Sequence, residues 1–265
     1  MRLFKFIRII ISLMVNNDKI RLLQEISCNA WPALKNQLLN GWVIRLAEGI
    51  TRRANSVLPL SYYGNDVQED IDQAEQIYNQ WNLPSIFQIP DYFEPSNLLS
   101  TLEKRGYIKE AESLVMKCAI NKISEIRQNQ RFSYTHNKQE SDDWFNALQQ
   151  FSKASDERIK GVRKIINRIS QPKNFFYARE NDAIIGITLV ILERSHLGIY
   201  NMITNPKFRR QGIAKSIFAE IINWCRDQNI ETIYLQVQGD NLGAINLYKS
   251  INLIETFRYR YLVKN

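Results

Sequence analysis

Hydrophobic and polar positions alternate between two periods along residues 143–265. Apolar residues at helical spacing predict one helix over 143–169 and a strongly amphipathic one over 212–228, and a weaker pattern predicts a short helix over 241–250. Five runs rich in β-branched and aromatic residues predict strands at 175–179, 183–192, 196–204, 232–237 and 254–263. Helical and strand patterns that alternate in this way predict an α/β unit.

Residues 42–120 repeat this order of elements more loosely. The patterns predict helices at 67–81 and 96–104, and strands at 42–47, 54–58, 86–89 and 112–120. In both halves the short helix ends before a residue suited to positive φ, Gly106 or Asn252, and a large apolar residue and a final strand follow. Two copies of one α/β unit explain the repeat, and a chance similarity of generic α/β patterns is the open alternative.

The most polar stretch lies between the halves and predicts a linker over 127–142. The expected domains are therefore 16–126 and 143–265. Residues 1–15 form an apolar stretch that contains charges and is shorter than the ~20 residues of a membrane span, so we expect no span there. That segment is either an amphipathic interfacial helix or an extension ahead of a start at Met14.

The distribution of charged residues shows that the positive charge is concentrated in the second half of the chain. The chain has 265 residues and a net charge of +8, and its 45% hydrophobic content excludes collagen-like and largely disordered classes. Residues 131–265 carry 20 basic and 13 acidic side chains, so we expect an anionic ligand in the second half. Three separated cysteines and two histidines predict neither a disulfide framework nor a metal site, and they suit a reducing cytoplasm.

The segment 205–214 has the features of a phosphate-binding loop. Pro206 ends the preceding strand, Gly212 permits close approach of the backbone to a ligand, and the helix that follows begins with free N–H groups. Four cations surround the same point: Lys207, Arg209, Arg210 and Lys215. The segment lacks both the Walker and the Rossmann glycine spacing, so it predicts a diphosphate cradle of another kind.

Two motifs carry a resemblance to a known family. Arg209-Arg-Gln-Gly-Ile-Ala214 resembles the Arg/Gln-x-x-Gly-x-Gly/Ala loop of the GNAT superfamily of acyl-CoA-dependent N-acyltransferases. The segment from Asn241 to Tyr248 is similar to the family's Asn-x-x-Ala-x-x-Leu-Tyr motif, at the usual distance. The resemblance covers about residues 140–265, and the first half looks like the degenerate amino-terminal copy of bacterial tandem GNAT proteins.

The resemblance implies two GNAT-like units, each a mixed, mostly antiparallel sheet with flanking helices. It implies transfer of an acetyl group from acetyl-CoA to a primary amine of unknown identity, by direct attack in a ternary complex and without a metal. Tyr248 matches the family's proton donor to the departing thiolate, a role that a phenol can perform. The matching cofactor-binding positions are Met202, Ile203, Thr204, Arg209, Arg210, Gln211, Gly212, Ile213, Ala214, Lys215 and Asn241. Asn241 would either contact the pantetheine arm or order its helix.

Two departures keep a rival hypothesis open. Asn252 replaces the glycine of the family's Leu-Gly-Phe turn, and strand 196–204 carries no carboxylate that could act as a base. Glu193 and His196 lie nearby in sequence, and for each an exposed loop or strand-end position is favoured over the role of a base. The alternative function is a non-catalytic CoA-binding or protein-interaction module, and a basic nucleic-acid-binding protein is a third class that no motif supports.

The first half lacks the cradle. Asp66, Glu69 and Asp70 crowd the start of its predicted helix at 67–81, and carboxylates there would repel a phosphate. We therefore expect no CoA at this place. Arg45, Arg52 and Arg53 would serve structure in preference to a substrate cleft.

Overall fold

A computed structural model describes residues 17–264 of the chain, so the segment 1–15 lies outside the described residues. The helices are α1 over 17–30, α2 Val67–Gln80, α3 Leu98–Lys104, α4 Asp142–Ser152, α5 Asp156–Asn167, α6 Ile213–Cys225 and α7 Leu242–Lys249. The strands are β1 Lys35–Leu39, β2 Trp42–Leu46, β3 Val57–Pro59, β4 Ser85–Pro90, β5 Ile108–Ala119, β6 Ser133–Asn137, β7 Lys173–Glu180, β8 Ala183–Glu193, β9 His196–Thr204, β10 Thr232–Gln238 and β11 Ile254–Lys264.

The described residues form two compact units. One comprises the residues up to Glu112 together with those from Phe257 onward, and the other comprises Ser113–Thr256. These boundaries differ from the expected 16–126 and 143–265 because the final strands are exchanged. Most of β5 belongs to the second unit, and most of β11 belongs to the first.

In the first unit the strands follow the order β1-β2-β3-β4-β11, and all neighbours are antiparallel except β3 and β4. Trp42 and Ile44 of β2 share a core with Phe87 of β4 and with Ile71 and Tyr78 of α2. Helix α1 and strand β1 precede the elements predicted from the sequence. The signal for β1 is the Asn-Gly pair at 40–41, which takes positive φ at both positions and closes the β1–β2 hairpin.

The predicted strand at 54–58 is shifted in the structure. Arg52–Ala54 form a 3₁₀ turn whose start is capped by Thr51, and β3 begins only at Val57. A capping side chain favours a helical turn at this point. The apolar run that suggested a strand therefore pairs with β2 only from Val57 onward.

In the second unit the strands follow the order β5-β10-β9-β8-β7-β6, with only β9 and β10 parallel. Helix α6 packs on this sheet through the apolar face that its periodicity predicted, which includes Ile213, Ile217 and Ile221. Both units are thus mixed, mostly antiparallel sheets with flanking helices, and the predicted fold class is confirmed.

The single helix predicted over 143–169 is wrong, because the structure has two. Lys153 adopts a left-handed conformation that ends α4, and the Ser155 side chain accepts a hydrogen bond from the Arg158 amide at the start of α5. A serine followed by two acidic residues is a helix start signal, and it overrides the continuous apolar period.

The polar stretch 127–142, expected to be a linker, lies wholly within the second unit and contains β6. This strand pairs with β7 over five residue pairs. Phe132 is buried and Tyr134 is half-buried against the core, while Ser133 and Thr135 are exposed. Buried and exposed side chains therefore alternate here, as is typical of a strand at the edge of a sheet. The many polar residues of the exposed face make this alternation hard to see in the sequence.

Candidate active site

Strands β9 and β10 separate part-way along their length. Their parallel pairing runs from His196 opposite Thr232 to Ile199 opposite Leu235. Beyond that point β9 continues beside β8 and β10 continues beside β5. In the described part of the chain no further residue pair joins the two strands, so their facing backbone groups are left for another partner.

A β-bulge lies on β9 at the opening of this gap. Asn201 has a φ of 50°, and the register with β8 shifts between Ile187 and Leu189. The buried Thr188 hydroxyl donates a 2.9 Å hydrogen bond to the Tyr200 carbonyl and so fixes the bulged segment. Bulges change the direction of a strand, and this one precedes the predicted pantetheine-binding residues Met202, Ile203 and Thr204, which are half-buried.

The loop after β9 is built from two short turns. Asn205 Oδ1 accepts a hydrogen bond from the Lys207 amide, which starts a 3₁₀ turn over Pro206–Phe208. Arg210 and Gly212 both take left-handed conformations, with φ of 64° and 79°. Successive amides in such conformations form a concave donor surface for anions.

Gly212 is also the residue that precedes α6, and a Cβ built on it would meet no atom within 4 Å. The space above this glycine is open, as a close-fitting ligand requires. The start of α6 is held against the sheet at Gly186, where an added Cβ would lie 2.9 Å from Ile213 Cγ2. A small residue there brings the helix start close to the end of β9.

The start of α6 is electropositive. No side chain caps it and its first turn holds no acidic residue, so the amides of its first residues keep their hydrogen-bonding capacity. The four predicted cations Lys207, Arg209, Arg210 and Lys215 lie on or beside this turn, and among residues 17–264 none of them pairs with a carboxylate. Gln211 and Ala214 are half-buried, and Ile213 is buried in the core, so Ile213 offers only its backbone.

Tyr248 lies on α7 with its ring inside the core. Its hydroxyl contacts Met202 Sδ at 3.9 Å, and its ring centre is 6.3 Å from that of Phe218. Burial raises the pKa of Tyr248 to about 12. Because sulfur is a weak acceptor, the phenolic proton is available to a stronger one. The structure thus brings Tyr248 to the strand whose backbone the resemblance assigns to pantetheine.

Asn241 precedes α7, and its Oδ1 accepts a 3.1 Å hydrogen bond from the Ala244 amide. Of its two expected roles, the structure shows the ordering of the helix. Asn252 ends the same segment with a φ of 68°, so it holds the left-handed turn in which the family has glycine.

Glu193 and His196 lie at the opposite end of β9. They face each other across the β8–β9 hairpin, and His196 is paired with Thr232 where β9 and β10 are still joined. Met202 lies six positions after His196, about 20 Å along extended strand. Both residues are thus at a strand end, the position that the sequence favours for them over the role of a base.

The first unit has carboxylates where the second has its cradle. Asp66 caps α2 by accepting a hydrogen bond from the Gln68 amide, and Asp70 is held by Asn40 and Tyr62, each at 2.7 Å. The first turn of α2 is therefore acidic, and the Gln68 amide at its start already has a side-chain acceptor. The expectation that this unit binds no CoA there stays a prediction.

The three arginines of the first unit have structural contacts, as expected. Arg45 is buried and donates to Ser56 and to Gln88 Oε1, the latter at 2.8 Å. Arg52 pairs with Glu110. Arg53 lies over the Trp31 ring, 6.0 Å from its centre.

Two features are absent from residues 17–264. No cluster of three or more His, Cys, Asp or Glu side chains is arranged to hold a metal ion. No helix there combines the length and the apolar run that a membrane crossing needs.

The family model described as "Probable histone acetyltransferase Rv0428c C-terminal" matches residues 17–262. The chain belongs to that family. Its sequence is 28% identical over 250 residues to "Uncharacterized N-acetyltransferase YobR" of Bacillus subtilis (strain 168), covering 93% of this chain and 99% of the relative. The resemblance to GNAT N-acetyltransferases is thereby confirmed.

Two solved structures share the fold of this GNAT chain. A GCN5-related N-acetyltransferase from Kribbella flavida has a TM-score of 0.70 at 11% identity, covering 92% of this chain and 95% of that one. A tandem GNAT protein from the clavulanic acid biosynthesis pathway has a TM-score of 0.61 at 9% identity, covering 74% and 69%. Identities this low support the architecture alone, and that architecture agrees with two related units.

Proposed function

We propose that the chain transfers an acetyl group from acetyl-CoA to a primary amine at the β9–β10 gap. The observation that carries the proposal is the uncapped, cationic start of α6 behind the left-handed turns at Arg210 and Gly212. This start opens at the end of the strand that Tyr248 contacts. Family membership supports the class of reaction.

The residues fit the diphosphate of CoA. The amides between Arg210 and Lys215 would donate to its oxygens, since a helix start with no acidic side chain favours an anion. The open space at Gly212 leaves room for the contact. The edge of Met202 to Thr204 that faces away from β8 would bind the amide groups of the pantetheine arm.

Bound acetyl-CoA would supply a thioester carbonyl that an amine nitrogen attacks. The C–N bond would form and the C–S bond would break. The amine would lose one proton and the departing sulfur would gain one, so the reaction balances. Amides at the gap would stabilise charge on the carbonyl oxygen, and the two strands would position the reactants.

Tyr248 would donate a hydrogen bond to the sulfur as it leaves. A phenol of pKa about 12 is a weaker acid than a free thiol, whose pKa is about 8.5. Tyr248 would therefore stabilise the negative charge that develops on the sulfur. It would keep its own proton until late in the cleavage of the C–S bond. Because the group stays protonated below about pH 11, it is in the active form throughout the physiological range.

The amine would arrive neutral or lose its proton to water, because β9 carries no Asp or Glu. Three cysteines without disulfides fit a reducing cytoplasm, where we place the reaction.

A screen of amine acceptors with acetyl-CoA, read as release of free thiol, tests the proposal. Small amines, peptide amino termini and lysine side chains form the panel. Acceptor-dependent thiol release supports the transferase. Tight CoA binding without turnover on any acceptor would instead favour the non-catalytic module.

A further inference from the structure

Asn129 lies against the cradle and uses all four of its polar groups. Its backbone N–H donates to Ser216 Oγ at 2.9 Å, and its side-chain Nδ2 donates to the Gln211 carbonyl at 3.2 Å. Its Oδ1 accepts from the Arg131 amide at 3.1 Å, and its carbonyl accepts from the Tyr134 hydroxyl at 3.2 Å. A polar residue from the segment expected to be a linker is thus fixed between β6 and the start of α6.

The bond to Gln211 determines the direction of the next amide. In a trans peptide the carbonyl of one residue and the N–H of the next point in opposite directions. Holding the Gln211 carbonyl toward Asn129 therefore directs the Gly212 N–H away from Asn129. Gly212 has no side chain to restrict this peptide plane, so an outside contact is needed to fix it.

The bond to Ser216 fixes the first turn of α6 at the same time. Ser216 is buried, and its own amide donates to the Gly212 carbonyl at 2.9 Å. Asn129 therefore contacts both ends of the segment Gln211–Ser216, whose amides face the proposed diphosphate site. A left-handed non-glycine residue such as Arg210 costs free energy and persists only where surrounding contacts hold the loop.

We propose that Asn129 is a positioning residue that orients the Gln211–Gly212 peptide and thereby pre-organises the diphosphate cradle. This inference rests on the proposed function, because it assumes that the ligand carries a diphosphate. Pre-organisation strengthens binding by removing the cost of ordering the donors. Among residues 17–264, none of the hydrogen bonds of Asn129 goes to Met202, Ile203 or Thr204, the proposed pantetheine-binding residues.

The test compares Asn129→Ala with Gln128→Ala. Gln128 belongs to the same segment and binds the same helix, through a 2.8 Å bond to Glu220, but it does not contact the loop. Titration calorimetry of each full-length variant with CoA should show a Kd raised by about tenfold for Asn129→Ala, because the Gly212 amide must then be ordered on binding, and little change for Gln128→Ala. Equal affinities of the two variants would overturn the inference.

A further variant and a further ligand distinguish a loss of positioning from a general loss of structure. Asn129→Ser keeps an oxygen that can accept from the Arg131 amide but is too short to reach Gln211, so it should lose CoA affinity as Asn129→Ala does. Pantetheine lacks the diphosphate, and its affinity, measured by competition with CoA, should stay within about twofold. A parallel loss of pantetheine affinity would contradict positioning.

The wild-type chain distinguishes the inference from the proposed function. If it binds CoA and the Asn129 variants bind equally well, only the inference fails. If the wild-type chain does not bind CoA, the proposed function fails and the inference fails with it.

Discussion

Replacement of Gly212 by alanine tests the cradle with a matched control elsewhere in the chain. Gly212 and Gly106 have nearly the same φ, 79° and 83°, and a Cβ on either would meet nothing within 4 Å. An L-residue in this conformation costs roughly 1–2 kcal/mol. Gly212→Ala and Gly106→Ala should therefore lower the free energy of unfolding by similar amounts.

The two variants should differ in ligand binding. The methyl group at 212 would enter the space that we assign to the diphosphate, whereas Gly106 follows α3 in the first unit and is not part of the loop that forms the cradle. Displacing one charge-assisted hydrogen bond costs about 2 kcal/mol, which is an increase in Kd of about 30-fold. Denaturant unfolding would give the stability and titration calorimetry with CoA would give the affinity.

One result would contradict a diphosphate at Gly212. If Gly212→Ala binds CoA as tightly as Gly106→Ala while both lose the same stability, the open space above Gly212 does not hold the ligand. The diphosphate cradle would then have to lie elsewhere, and the match of the Arg209–Ala214 loop to the family motif would not describe its use in this chain.

The other predictions concern charge and the leaving sulfur. Arg210→Glu should weaken CoA binding about tenfold or more at low salt, and the loss of affinity should be smaller at high salt because the interaction is screened. Calorimetry at two salt concentrations measures this, and an unchanged affinity would contradict it. Tyr248→Phe should lower kcat about 100-fold while leaving CoA affinity and stability nearly unchanged, since among residues 17–264 the hydroxyl has only the sulfur of Met202 as a partner. Ionisation of Tyr248 would remove its proton only as pH approaches 12, so the ratio of wild-type to Tyr248→Phe turnover should be constant from pH 7 to about 10. A ratio that falls in that range would show that the buried phenol is not the acid.

The sequence predicted the second unit well wherever local pattern and local chemistry agree. The apolar period of α6, the turn residue before it and the motif on α7 lie close together along the chain, and the structure keeps that order. The left-handed turns at Gly106 and Asn252 were also predicted correctly, because few residues tolerate that conformation.

The features that the sequence did not predict depend on partners far along the chain. The final runs of both halves were correctly identified as strands, yet nothing in their own patterns states which sheet each joins. The bulge at Asn201 depends on Thr188 in the neighbouring strand. Asn129 was assigned to a linker because its neighbours are polar, and only the positions of Gln211 and Ser216 show why a polar residue is needed there.

The starts of α2 and α6 explain why only one unit is expected to bind an anion. A helix start has free amides that must find an acceptor. In α2 the acceptor is supplied by the chain itself, since Asp66 caps the helix and Glu69 and Asp70 occupy its first turn. In α6 the capping position is Gly212, which has no side-chain acceptor to offer, and the first turn holds no acidic residue. Equivalent helices therefore differ in whether their amides are satisfied internally, and a ligand can add stability only where they are not.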